Sequence, residues 1–336
     1  MRGCILLFGL PRSGTTWIGK LFDSHPDTLY RHEPDSVQYL TLPLYPEIGS
    51  APQHREELQR FVALLPLMRS AKVVGKQPLF PKSYQSSAGL AAYRMSVAVA
   101  KAASRITRNF PCPYRPTAEG SGRARLVWKS IESSGRLGIC IETLPDIRAI
   151  HLMRHPCGFV ASMLRGTAAG RFGDPSSAAD KSWLLKMLLG TASGKVHASE
   201  VGDASRFSPE ECLAWCWVLI QEKILADVAG SNRVLTVRYE DVCADPIAMT
   251  RRMFEFTGLD WQPQTEAFVR ASTQSTAHMT DYYSVFKSPQ VSAERWRTEL
   301  TPDVVERVIG IVSSSPLRHY YPDEARSTAQ VAEEAT

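Results

Sequence analysis

The segment Gly9-Leu10-Pro11-Arg12-Ser13-Gly14-Thr15-Thr16-Trp17 carries residue types that grip a phosphate. Its two glycines keep the G-x-x-x-x-G spacing of a phosphate loop, and an apolar run over 3–9 leads into it. Backbone N–H groups of such a loop, with the positive end of a helix dipole behind them, cradle an anion. Ser13, Thr15 and Thr16 add hydroxyl donors, and Arg12 supplies a cation. Thr15 stands where a nucleotide triphosphatase has lysine, and no clear acidic strand end is in place for magnesium, so metal-assisted triphosphate hydrolysis loses support. The alternative reading of the spacing is an ordinary strand–turn–helix junction with a glycine turn and a threonine cap. A second cluster lies in 148–164, RAIHLMRHPCGFVASML, where a strand ends at Arg154 and Pro156 suits the first helical position. A guanidinium fork there and the Ser162 hydroxyl, about two turns into the helix, suit a second phosphate. A surface arginine and an unrelated helical serine are the plain alternative.

These groups need elements to place them. Residues 3–9 read as a buried parallel strand, and the helix after the loop must end before Pro26. Further strands are expected at 72–76, 125–130, 148–153 and 233–238. Helical patterns alternate with them at about 54–65, 156–165, 210–229, 246–257, 264–271 and 302–313. The alternation predicts an α/β fold, a P-loop-like doubly wound parallel sheet flanked by helices, with ligands beyond the carboxyl ends of the strands. Two stretches read as insertions on this single domain of residues 1–321. Residues 85–118 hold Arg94, Lys101, Arg105, Arg108 and Arg115 and no acid, on an alanine-rich helical pattern. Residues 165–208 are rich in Gly, Ala and Ser. The polar tail, 322–336, is expected to be disordered.

Composition bounds the rest. The 336 residues are 44% hydrophobic and 22% charged, as in globular proteins, and no apolar stretch approaches the ~20 residues of a membrane span. A net charge of +5 fits an anionic ligand and is too small to announce a nucleic-acid binder. Seven cysteines without C-x-x-C pairs argue against a disulfide framework and against structural zinc. The expectation is a cytoplasmic protein with reduced thiols. The sequence leaves the oligomeric state open, a homodimer included.

The string PRSGTTW resembles the 5′-phosphosulfate loop of sulfotransferases that use 3′-phosphoadenosine 5′-phosphosulfate (PAPS), in the form met in carbohydrate-type and bacterial members. Arg154-His155-Pro156 with Ser162 is similar to the 3′-phosphate pattern of the same family, and 234–259 and 287–300 resemble two of its later segments. By this resemblance Arg12, Ser13, Gly14, Thr15 and Thr16 hold the 5′-phosphosulfate, and Arg154 with Ser162 holds the 3′-phosphate. Lys287 and Arg295 are further candidates for that phosphate. Trp17 would stack on adenine, with a core tryptophan as the alternative. Cytosolic members carry a histidine in a K-[ST]-H segment that here reads Lys129-Ser130-Ile131. Lys129 is then a clamp on the sulfuryl oxygens, or else a surface lysine at a strand end. The implied general base is Glu33 in Tyr30-Arg31-His32-Glu33-Pro34-Asp35, where burial would raise its pKa toward neutrality and Arg31 and the loop cations would oppose that rise, with His32 as the competing base. Glu240 and Asp241 are expected to cap and brace their junction. The implied activity moves the sulfuryl group of PAPS to a hydroxyl of a carbohydrate or a bacterial metabolite, releasing 3′-phosphoadenosine 5′-phosphate (PAP) without a metal. A P-loop small-molecule kinase and a non-catalytic nucleotide-binding protein are the competing classes.

Overall fold

A computed structural model describes residues 3–107, 110–118, 122–170, 181–274 and 289–322. Strand β1 (Cys4–Gly9) runs through the centre, followed by α1 (Thr15–Asp23) and β2 (Thr28–His32). Next come α2 (Ala51–Leu64), the one-turn α3 (Ala71–Val74), α4 (Ser87–Ala103) and β3 (Arg125–Ser130). After them lie α5 (Leu137–Thr143), β4 (Ile147–Met153), α6 (Pro156–Ala168), α7 (Pro209–Asp227) and β5 (Val234–Arg238). Helices α8 (Pro246–Thr257), α9 (Pro263–Thr273) and α10 (Pro302–Ser313) complete the frame. All the strand pairs are parallel, in the order β2-β3-β1-β4-β5.

A central parallel strand is covered on both faces, which is why β1 is apolar throughout. Cys4, Leu6 and Phe8 face one layer with residues of α2, α5, α6, α7 and α10, while Ile5 and Leu7 face the other with residues of α1, α8 and α9. The chain leaves β1 toward the β2 edge and later crosses to β4 on the other side of β1. The order of the sheet therefore reverses at the carboxyl end of β1, where ligands of such sheets bind. Helix α7 begins on a capping box: the Glu211 N–H donates to Ser208 Oγ (3.3 Å), and the Ser208 N–H donates to Glu211 Oε2 (2.8 Å).

One expected strand is absent. Residues 72–76 do not pair with the sheet; their start forms α3, which turns both Val73 and Val74 into a small core with Tyr93, Val97, Ala100 and Cys112. Two adjacent β-branched residues imitate a strand, but one helical turn packs both into the same cluster. The fifth strand is β2, which ends just before Glu33. The expected tail beyond Pro322, residues 171–180 of the second insertion, and Lys287 and Arg108 lie outside the described residues.

Beneath α1 lies a buried charge cluster. Asp23 accepts from Lys20 and pairs with Lys82 at 3.0 Å, with all three side chains nearly inaccessible. Burial pushes the Asp23 carboxyl up, but the two ammonium groups together hold it below its ordinary value. Burial also pulls Lys20 down to about 8 against the attraction of Asp23. Removing one member of such a group leaves buried charge uncompensated, so Asp23→Asn is expected to cost about 3–5 kcal/mol at pH 7. A carboxylate with a depressed folded pKa contributes stability above its unfolded value and loses it as pH falls through the folded value. Urea unfolding from neutral pH downward should therefore show the wild-type advantage shrinking on acidification. An undiminished gap would contradict the assignment.

Candidate active site

The phosphate loop turns sharply between β1 and α1. Arg12 has φ 71° and Gly14 φ 78°, both in the left-handed region. For an arginine this costs roughly 1–2 kcal/mol, a strain found where function fixes the backbone. Gly14 is required twice over, because a Cβ there would lie 2.3 Å from the ring of Tyr239. Gly14 caps α1 without a side-chain bond, so the first N–H groups of the helix face the loop. Ser13 Oγ is fully buried and has no hydrogen-bond partner among the described residues, an orphan that an anion would satisfy.

The second cluster meets the first directly. Arg12 Nε donates to Ser162 Oγ (2.9 Å), across 150 residues of sequence, and Arg165 Nη2 donates to the same oxygen (3.2 Å). Arg154 Nη1 donates to the Arg12 carbonyl and Nη2 to the Ser292 carbonyl, each at 2.7 Å, while its buried Nε has no partner among the described residues. Its guanidinium lies 5.1 Å from the ring centre of Tyr239, and the Trp217 indole N–H donates to its carbonyl at 3.0 Å. The start of α6 is braced from the segment just after β5, since the His155 N–H donates to Glu240 Oε1 (3.0 Å). Asp241 pairs with Arg238. Trp296 supports the same turn by stacking on His155, with ring centres 4.6 Å apart and 5° between planes.

On the other side of β1, the ends of β2 and β3 lie together, with His32 opposite Lys129 in the ladder. The Glu33 N–H donates to the Lys129 carbonyl (2.8 Å), one step past the strand, and Glu33 then adopts φ 46° immediately before Pro34. A residue before proline is normally extended, so Glu33 is held in a second strained conformation. Its Oε1 accepts from the Lys129 ammonium, which is itself almost completely buried. Burial pulls Lys129 below the ordinary lysine value, with Glu33 opposing that shift. Asp35, two residues on, takes a structural part: Ser130 and Ser133 donate to its Oδ2, the latter at 2.6 Å.

Several sequence expectations need amendment. The Arg31 guanidinium donates to the carbonyls of Tyr30, Leu65 and Pro66, and the cation paired with Glu33 is Lys129. The surface alternative for Lys129 is excluded by its burial. Trp17 has the contacts of a core residue, with its N–H on Ser272 Oγ (3.0 Å) and its ring edge-on to Tyr239. Arg295 is half exposed and pairs with Glu299 at 2.6 Å. Glu299 in turn holds Arg165, so a chain of charges runs from Arg295 to Ser162. Arg165 was missed, although its position three residues after Ser162 puts both on one helix face. Tyr239 was also missed, since only the fold brings it against Gly14.

The chain matches the family described as "Sulfotransferase family" over residues 4–187 and 203–263. It is 38% identical over 66 residues, 20% of its length, to carbohydrate sulfotransferase 3 of Mus musculus. It is 24% identical to carbohydrate sulfotransferase 2 of Homo sapiens over 343 aligned positions, 91% of the chain. These alignments span 14% and 63% of the relatives' own lengths. Among solved structures, the sulfotransferase domain from the curacin biosynthetic pathway is similar with a TM-score of 0.46 and 15% identity, covering 94% of this chain and 97% of that one.

Proposed function

The chain belongs to the sulfotransferase family, and on that premise we propose that it transfers the sulfuryl group of PAPS to an acceptor hydroxyl with Glu33 as general base. The observation that carries this reading is the placement of a carboxylate and a buried cation, Glu33 and Lys129, at the same carboxyl end of the sheet as the loop with the orphaned Ser13 hydroxyl. In this reading the N–H groups of the loop, with Ser13, Thr15 and Thr16, hold the 5′-phosphosulfate. Arg154 and Ser162 hold the 3′-phosphate.

Bound PAPS supplies an electrophilic sulfur with a phosphate leaving group. Glu33 removes the acceptor O–H proton as the oxygen forms its bond to sulfur and the bond from sulfur to the bridging phosphate oxygen breaks. Lys129 and Arg12 take up negative charge on the transferring and bridging oxygens. PAP leaves, and Glu33 returns its proton to solvent. The acceptor is a saccharide or another small hydroxyl compound in this reading. Helix α4, whose core joins α3 beside β2, forms one acceptor-side wall. No helix among the described residues is long and apolar enough to cross a membrane. Residence in the cytoplasm is part of the proposal, and seven buried thiols support it.

A ligand bound only by the folded state raises the melting temperature by mass action. PAP with a chelator present should stabilise the protein by about 3 kcal/mol at a hundredfold excess over its dissociation constant. ATP with magnesium should do much less. The reverse order would favour a kinase, and no stabilisation by either would remove the nucleotide reading.

A further inference from the structure

The Glu33–Lys129 pair raises a difficulty for the proposed reaction. A Lys129 ammonium that shares its three donors between the carboxylate and the sulfuryl oxygens holds Glu33 less firmly, and a second donor keeps the carboxylate in position. The residues beside it supply one. His32 Nδ1 lies 2.8 Å from the Tyr30 hydroxyl, and His32 Nε2 lies 3.7 Å from Glu33 Oε1, just beyond hydrogen-bond length. Both side chains are buried on β2 and, two residues apart, share one face of the strand. The hydroxyl is seated by Gly19 of α1, where a Cβ would come within 2.5 Å of it.

We propose that Tyr30 and His32 are positioning residues for Glu33: the Tyr30 hydroxyl fixes the imidazole tautomer, and the Nε2–H holds the carboxylate when Lys129 shares its donors with the sulfuryl group. This rests on the reading of Glu33 as base. If Nδ1 carried the proton, the Tyr30 hydroxyl would accept it and its own hydrogen would be buried without use. Donation from Tyr30 to Nδ1 satisfies both groups and leaves the proton on Nε2, facing a carboxylate. Burial, with the charges of Asp23 and Glu33, pushes the Tyr30 phenol well up, so it remains a donor. The charged groups acting on His32 are Lys129 of β3, Lys76 just beyond α3, Lys20 of α1 and Lys72 of α3, with the Glu33 carboxylate 3.7 Å from Nε2. Burial first and then these lysines hold the imidazole well below its ordinary value, so His32 is neutral at physiological pH. A neutral donor anchors the carboxylate without cancelling its charge, which an imidazolium would do.

Nitrogen-15 NMR of histidine-labelled full-length protein tests this without an acceptor, the His32 signal being found by its loss in His32→Gln. The expected result is the Nε2–H tautomer, neutral at pH 7, with the Nε2 proton moving downfield when PAPS is added. Tyr30→Phe should give a tautomer mixture. A Nδ1–H tautomer, an imidazolium at pH 7 or an unmoved Nε2 proton would overturn the proposal. A second arm titrates the carbon-13-labelled Glu33 carboxyl in the PAPS complex. His32→Leu, which removes the donor, should raise its pKa by about one unit, and His32→Gln, which restores an N–H, should bring it back. Equal titration in both variants would assign His32 a packing role only. Failure of the underlying reading is separable, since Glu33→Gln would then retain turnover whatever the tautomer.

Discussion

Glu33→Gln should lower turnover by roughly 10²- to 10⁴-fold, the usual worth of a positioned general base, while PAPS binding is retained. The amide has nearly the shape of the carboxylate, and its oxygen can still accept from Lys129, as Glu33 Oε1 does now. The nucleotide is held elsewhere in the proposed site, by the loop and by Arg154 with Ser162. The acidic limb of the rate–pH profile should disappear with the carboxylate, since that limb reports protonation of the base. Arg12→Ala and Lys129→Ala should behave differently. They remove cations rather than the base, so affinity and rate both fall while the acidic limb stays. Turnover with an acceptor that the wild type sulfates checks all three variants. A Glu33→Gln enzyme with most of its activity, beside a His32→Ala enzyme with none and unchanged PAP affinity, would move the base to His32.

The second large effect concerns the 3′-phosphate. Arg154→Ala combined with Ser162→Ala should reduce the preference for PAP over AMP by about 10- to 150-fold, equivalent to losing charge-assisted contacts worth on the order of 1.5–3 kcal/mol. Arg154 also donates to the carbonyls of Arg12 and Ser292, so its loss loosens the turn as well as the phosphate site. Ser162→Ala alone leaves those bonds in place and should shift the preference in the same direction by less. Calorimetric titration with PAP and with AMP separates the two contributions. A double variant that prefers PAP as strongly as the wild type would show that this junction does not bind the 3′-phosphate.

How much of this was legible from the residues depends on how local each signal is. Strands β1, β3 and β4 were readable because a central parallel strand is an uninterrupted apolar run bounded by glycine, proline or charge. The phosphate loop was readable because its spacing is local. Segment 72–76 misled because Val73 and Val74 favour a strand in isolation, whereas packing against Tyr93 and Val97 selects one helical turn. The Glu33–Lys129 pair was beyond sequence reading, since it depends on strand order: β2 pairs with β3 rather than with β1, and the ladder then sets His32 opposite Lys129. The direct bond from Arg12 to Ser162 follows likewise from β4 lying beside β1. Trp17 illustrates the opposite limit, where a residue inside a recognisable motif takes its partner, Ser272, from a distant helix.

The most direct test of the central claim is a crystal structure of the protein with PAP. The account predicts the 5′-phosphate against the N–H groups and hydroxyls of Ser13–Thr16, the 3′-phosphate between Arg154 and Ser162, and the carboxylate of Glu33 facing the space beside the 5′-phosphate where an acceptor hydroxyl would sit. A nucleotide bound away from the carboxyl ends of β1 and β4, or a 5′-phosphate that Glu33 cannot face, would contradict it.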